Sequence, residues 1–282
     1  MTSNRATGVA EPDEIGHQQL TLSAPWWACQ NRLKLHWARW GREPPGFKPS
    51  IVLLHEGLGS IRQWRDTPSA LNQATGLNVI AFDRFGYGAS SARPGPWPVQ
   101  FMHEEADFVL PALLNALSIR TCILLGHSDG ASIALLAAGQ LRPLALISIA
   151  AHVLVENSCT QSIRQLLNAE RRPQLTSALS RYHHASEALL TNWSTVWLSR
   201  AFSTWHICDR LLAIQCPVLA IQANDDAYGS MLHMDLIEQS IKQSTGLRLS
   251  GGGHSPHLDA SSGLLQEIAA FIHQVVIQQA PS

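Results

Sequence analysis

The sequence predicts an α/β fold: a doubly wound, mostly parallel sheet with a helical cap inserted before the penultimate strand. Three observations carry that expectation. Short apolar runs recur along the chain, each ending in a polar or glycine-rich cluster. Such unbroken runs suit strands covered on both faces, as in a parallel sheet. Segments with helical spacing lie between them, and the alternation gives the doubly wound arrangement. One long stretch, 151–211, breaks the alternation without a strand-like run.

The elements follow in order. The first 18 residues read as a loose polar start. From 19 to 42, apolar and polar residues alternate around a break at Cys29-Gln30-Asn31-Arg32, which predicts an antiparallel strand pair at a sheet edge. A Gly/Pro loop spans 41–49. Ser50-Ile51-Val52-Leu53-Leu54 is the first buried strand and leads into His55-Glu56-Gly57-Leu58-Gly59. Val79-Ile80-Ala81-Phe82 is the next and leads into Asp83-Arg84-Phe85-Gly86-Tyr87-Gly88. A helix is expected over 104–117, then a strand over 122–125 and a helix over 131–141. The second helix is apolar on nearly all sides, as one packed into a core must be. Strands follow at 144–150 and 218–221, and an amphipathic helix closes the chain at 264–278. Between those strands, Trp193, Trp197 and Trp205 stand among polar helical residues. An insertion of that length in a compact domain reads as a lid over a pocket. The expected units are therefore a core of 1–150 with 212–282, and a cap of 151–211.

Composition excludes several classes. With 282 residues the chain buries a core without staples, and 45% hydrophobic residues exclude a disordered or collagen-like chain. Lys plus Arg is 20 against Asp plus Glu 21, a net charge of −1, so no basic balance points to nucleic acid. The cysteines are Cys29, Cys122, Cys159, Cys208 and Cys216, an odd number without a CxxC pair. That argues against a disulfide framework or a zinc site and for reduced thiols. The first twenty residues carry no apolar signal core, and no run approaches a membrane span. The expectation is a cytoplasmic protein, away from membranes, acting on a small molecule.

Gly126-His127-Ser128-Asp129-Gly130 matches G-x-S-x-G, with a buried strand before it and a helix after it, as that motif demands. The glycines permit a sharp turn, and the turn lifts Ser128 out at the carboxyl edge of the sheet, where open α/β sheets place ligands. A serine hydroxyl needs a base to take its proton, and the base needs an acid to orient it. With the order serine, acid, histidine, the acid falls at Asp225 or Asp226, after the penultimate strand. The base falls at His254, in the Gly251-Gly252-Gly253-His254 loop, with His257 the rival. The oxyanion hole takes the Asp129 amide and one amide from the His55–Gly59 loop, Gly57 or Leu58. Four residues are expected along the pocket: Glu56, His152 after a buried strand, and Trp193 and Trp197 of the cap. The scattered histidines His103, His152, His183, His184 and His206 have no metal-ligand spacing, and no metal or cofactor is called for. No G-x-G-x-x-G follows a strand, so dinucleotide binding is excluded.

These pieces, in this order over roughly 35–280, resemble the α/β-hydrolase fold superfamily. The resemblance implies a serine hydrolase with a Ser-Asp-His triad. Its G-x-x-D pattern falls on Ala223-Asn224-Asp225-Asp226, with alanine for the glycine, which points to Asp226. The segments His55–Ser60, Phe101–Glu105 and Gly253–His257 also resemble those of a group of bacterial hydrolases. The implied reaction is cleavage of a carboxylic ester through an acyl-enzyme on Ser128. The alternative is a lactone or a carbon–carbon bond of a ring-fission product, cleaved with the same triad. A serine at 128 disfavours relatives that use an aspartate nucleophile. A binding protein on the same fold is the reading from another class, and turnover above a Ser128→Ala control separates it from an enzyme.

Overall fold

The computed structural model describes residues 10–20, 22, 33–43, 48–93, 95–259 and 263–278. The strands are β1 Glu14–Gln19, β2 Lys34–Trp40, β3 Ser50–Leu54, β4 Asn78–Phe82, β5 Cys122–His127, β6 Ala145–Ile149, β7 Val218–Ala223 and β8 Ser244–Leu249. They form one eight-stranded sheet in the order β1-β2-β4-β3-β5-β6-β7-β8. The pairs β1·β2 and β2·β4 are antiparallel, and the others are parallel. Every residue of β3, β4, β5, β6 and β7 is buried, which is why these read as unbroken apolar runs.

The helices are α1 Thr67–Thr75, α2 Phe101–Glu104, α3 Leu110–Ala116, α4 Asp129–Leu141, α5 Asn157–Leu166, α6 Arg171–Leu179, α7 Ser186–Trp197, α8 Cys208–Leu211, α9 Leu232–Ser240 and α10 Leu264–Gln278. One face of the sheet (Ile51, Leu53, Ile123, Leu125, Ile147) packs with α1 and α10 through Leu71, Ile268 and Ile272. The other (Val52, Leu54, Leu124, Leu146) packs on α4 and on aromatic residues of 193–205. Each such aliphatic side chain, fully buried, contributes roughly 1.5–3 kcal/mol, so the apolar faces fix the layers. None of the helices in the described residues is long and apolar enough to cross a membrane.

Three expectations are corrected. The stretch expected to be a loose start holds β1, which pairs with β2 from Glu14↔Arg39 to Gln19↔Lys34. Its side chains alternate between exposed and partly buried, so no apolar pattern announced it; backbone pairing with β2 sets its register. The break at 29–32 lies outside the described residues, as do 44–47 of the expected loop. The helix expected from 104 begins at Phe101 and runs through a π-turn, Glu105–Val109, before α3. A strand after 218–221 is implied by reading that strand as penultimate, but the sequence pattern locates neither β8 nor the helices α1 and α9. β8 is an edge strand with no fully buried residue, so its sequence, Ser-Thr-Gly-Leu-Arg-Leu, carries little signal. The stretch 151–211 has only an isolated bridge, Leu154↔His206, beside its helices.

Candidate active site

The site is built at the carboxyl ends of β3, β5, β6 and β7. Ser128 follows β5 and stands at the N-terminus of α4 with φ 53° and ψ −120°. A residue with a side chain in that region stores roughly 1–3 kcal/mol of strain, so the surroundings must hold it. They do: the Ser128 amide donates to Ile149 O at 2.9 Å, and its carbonyl accepts from the Ala131 and Ser132 amides. The flanking glycines are sterically required. A Cβ on Gly126 would stand 2.3 Å from Gly130 O, and one on Gly130 would stand 1.9 Å from Leu54 O. The α4 N-terminus beneath Ser128 favours negative charge there.

His254 reaches Ser128 from the loop after β8. Its Nε2 lies 2.8 Å from Ser128 Oγ, and its Nδ1 lies 2.9 Å from both Asp226 oxygens. A carboxylate only accepts, so the proton sits on Nδ1 and Nε2 accepts the Ser128 hydroxyl. Asp226 also accepts from the Tyr228 amide and from Gln222 Nε2, each at 2.8 Å. Burial pushes its carboxyl up, but His254 and the Tyr228 amide outweigh it and hold the group below the usual range. The rival Asp225 is exposed and accepts the Gly253 amide at 2.8 Å, stapling the loop and not the ring. The rival His257 is buried behind His127, ring centroids 4.6 Å apart, and packs on Trp64.

A cavity of about 250 Å³ opens over Ser128. The four residues expected along the pocket, Glu56, His152, Trp193 and Trp197, lie on its lining, as do Gly57, Leu58 and Asp129. Cys159, Ile163, Leu166 and Tyr228 line it too and were not foreseen. The first three recur at helical spacing along α5, a signal available in the sequence but indistinguishable there from an ordinary core stripe. Tyr228 gave no signal beyond lying two residues after the acid.

The loop from His55 to Gly59 is tied down from below. The Glu56 carbonyl accepts from His55 Nδ1 at 2.8 Å, Arg84 Nη2 at 2.8 Å and the Gly59 amide at 3.0 Å. Gly59 has no Cβ to meet the Glu56 carboxylate, which folds back over it. Burial and the charge of Arg84 push the His55 imidazole down to about 3, so the ring is neutral. From the helical stretch, buried His183 accepts the Gly88 amide at 2.8 Å through Nδ1 and donates to Leu58 O at 3.0 Å through Nε2. Trp193 Nε1 donates to Asp129 Oδ2 at 3.0 Å. Burial raises the Asp129 carboxyl above its ordinary value, against the pull of Arg84 and Trp193. His152 donates through Nε2 to Tyr228 O at 3.1 Å. Burial, with His233 and His254 nearby, pushes it down to about 3, and it too is neutral.

The sequence profile described as the alpha/beta hydrolase family matches residues 51–267, most of the chain. The chain belongs to that family. This hydrolase is also similar to "Serine hydrolase BPHL" of Mus musculus, 28% identical over 236 residues, which covers 81% of this chain and 79% of that protein. Among solved structures it resembles VinJ, with a TM-score of 0.69, 19% identity and coverage of 94% of this chain and 99% of that one. It also resembles a proline iminopeptidase of Mycobacterium smegmatis, with a TM-score of 0.67, 18% identity and coverage of 93% and 99%. These likenesses fix the fold and, with the family, a hydrolase.

Proposed function

We propose that this hydrolase cleaves carboxylic esters through an acyl-enzyme on Ser128. The observation that carries the reading is the unbroken line from Asp226 through His254 to Ser128 Oγ, at 2.9 and 2.8 Å, ending in the cavity. Ser128 Oγ attacks the carbonyl carbon as His254 Nε2 takes its proton. The imidazolium then protonates the leaving alcohol, and water activated by the same nitrogen releases the acid. Asp226 keeps the ring in the required tautomer and steadies its charge. The helices of 151–211 act as a cap, since α5 and α7 supply the cavity's far wall.

The oxyanion donors are the amides of Asp129 and Gly57. A trans peptide points its N–H opposite its C=O. The Glu56 carbonyl faces inward to His55 and Arg84, so the Gly57 amide faces outward, toward the cavity it lines. Gly57 must be glycine there, because a Cβ would stand 2.4 Å from Trp193 Nε1.

The cavity's volume, about 250 Å³, lies below the span of about 300–1,000 Å³ usual for larger ligands, which favours a short acyl group. One observation favours a narrower class within esters. Asp129 Oδ2 accepts from Trp193, while no hydrogen bond to Oδ1 exists among the described residues. A protonated amine beside the scissile carbonyl would pair with that oxygen. The test is hydrolysis of p-nitrophenyl esters from acetate to decanoate, and of an aminoacyl ester beside its des-amino analogue, each with Ser128→Ala. Turnover that survives in Ser128→Ala overturns the mechanism. Ser128 labelled by a fluorophosphonate with no ester turned over moves the substrate to lactones or ring-fission products.

A further inference from the structure

The loop that carries His254 is intrinsically loose. Three glycines precede the histidine, and Gly252 and Gly253 have positive φ. Two contacts pin its backbone at the imidazole. One is the Gly253 amide on Asp225 Oδ1. The other is on the far side of the strand end: His127 Nε2 lies 2.7 Å from the His254 carbonyl oxygen. A carbonyl only accepts, so His127 donates. His127 is the last residue of β5 and is buried, so this anchor sits on the most rigid part of the sheet.

His127 is itself held. Its Nδ1 lies 3.4 Å from Glu56 Oε2, and its ring is backed by His257. Both ring nitrogens therefore lie beside oxygens, the His254 carbonyl as a hydrogen-bond acceptor and the Glu56 carboxylate as a charged neighbour without a hydrogen bond. The Glu56 carboxyl is pushed down to about 2; burial opposes this, and His127 is the main cause that outweighs it. Burial and His127 also lower His257, which keeps that ring from competing as a cation.

We propose that His127 and Glu56 are a positioning pair for the catalytic imidazole: the carboxylate orients the His127 ring, and the ring's Nε2–H fixes the His254 backbone so that the side chain bridges Ser128 and Asp226. The inference rests on the serine mechanism proposed above. It gives the residue before the nucleophile a role beyond packing, and it gives Glu56 a role other than substrate contact.

The test is the inactivation of the whole protein by a small alkyl fluorophosphonate, which reports on Ser128 without requiring the natural substrate. His127→Phe keeps a ring against His257 and removes the donor. Small misplacements of a reacting group cost up to about 100-fold. The maximal inactivation rate should therefore fall about 10- to 100-fold with an unchanged half-saturating concentration. His127→Gln, whose amide can replace Nε2–H, should recover most of the rate. An unchanged rate in folded His127→Phe, or equal losses in the Phe and Gln variants, overturns the proposal. Should the Phe variant fail to fold, Glu56→Ala serves. A lower maximal rate at unchanged half-saturation supports the pair, and a change in half-saturation alone overturns it in favour of a pocket contact. Wild-type protein that resists labelling overturns the serine mechanism itself, and this inference with it.

Discussion

Asp226→Asn, set beside Asp225→Asn, tests the line of hydrogen bonds most sharply. Asp226 meets His254 Nδ1 with two oxygens at 2.9 Å while accepting from the Tyr228 amide and Gln222 Nε2. Asparagine keeps one acceptor. Turned toward the Tyr228 amide, it sets its NH2 against Gln222 Nε2 and His254 Nδ1, both donors. The imidazole relieves the conflict by moving its proton to Nε2, which is the nitrogen that must accept from Ser128. In serine proteases the same exchange, through the same tautomer swap, lowers kcat about 10⁴-fold. That is about 5.4 kcal/mol at 1.36 kcal/mol per tenfold. We expect a loss on the order of 10³–10⁴ here. Asp225→Asn retains the Oδ1 that accepts the Gly253 amide, and a neutral acceptor there should cost well under about 1 kcal/mol, roughly threefold or less. The assay is kcat on p-nitrophenyl acetate, with active sites counted by fluorophosphonate and folding checked by melting temperature. Equal losses in the two variants, or an Asp226→Asn enzyme within tenfold of wild type, would refute the assignment.

Other outcomes follow from single observations. Gly130→Ala drives a Cβ to 1.9 Å from Leu54 O, a backbone atom; a destabilisation of roughly 4 kcal/mol or more is expected, and a melting temperature near wild type would contradict it. Trp193→Phe removes the donor to buried Asp129, which should lower stability by roughly 1–3 kcal/mol in urea titrations. Glu105 is buried in the π-turn and pushed up from 4.5 to about 7 by burial, against Arg93. Between those values this carboxyl binds more protons in the folded state than in the unfolded one, so its own contribution to stability falls as pH rises through the window, by up to roughly 3 kcal/mol. Glu105→Gln should remove that contribution and gain stability relative to wild type as pH rises; a difference in urea midpoint between the two proteins that is the same at pH 5 and pH 8 contradicts this. Burial raises the thiols of Cys122, Cys159 and Cys216. They should stay unmodified by iodoacetamide at pH 8 in the native protein, as read by peptide mapping, even though Cys159 lines the cavity.

Much of this molecule is written in local sequence. The strands β3 to β7 are legible because both of their faces are buried, leaving runs that are apolar but for single residues such as Ser148 and Gln222. The elbow is legible because the turn at Ser128 tolerates only glycine at 126 and 130. The edge strands were not legible, since β1 and β8 present too little buried surface for a pattern.

What the sequence left open was which of several like groups comes to the serine. Asp225 and Asp226 are neighbours of the same type, and His254 and His257 share one loop. Only the packed structure turns one of each toward Ser128 and assigns the others to staple a glycine or back a histidine. The same holds for His183, a residue of the helical stretch that grips the loop after β3 at Leu58, across 125 positions of chain. Local sequence encodes burial and backbone conformation, because those depend on a residue and its near neighbours. Contacts between distant loops depend on where the whole sheet and its helices place them, and so they appear only in the folded chain.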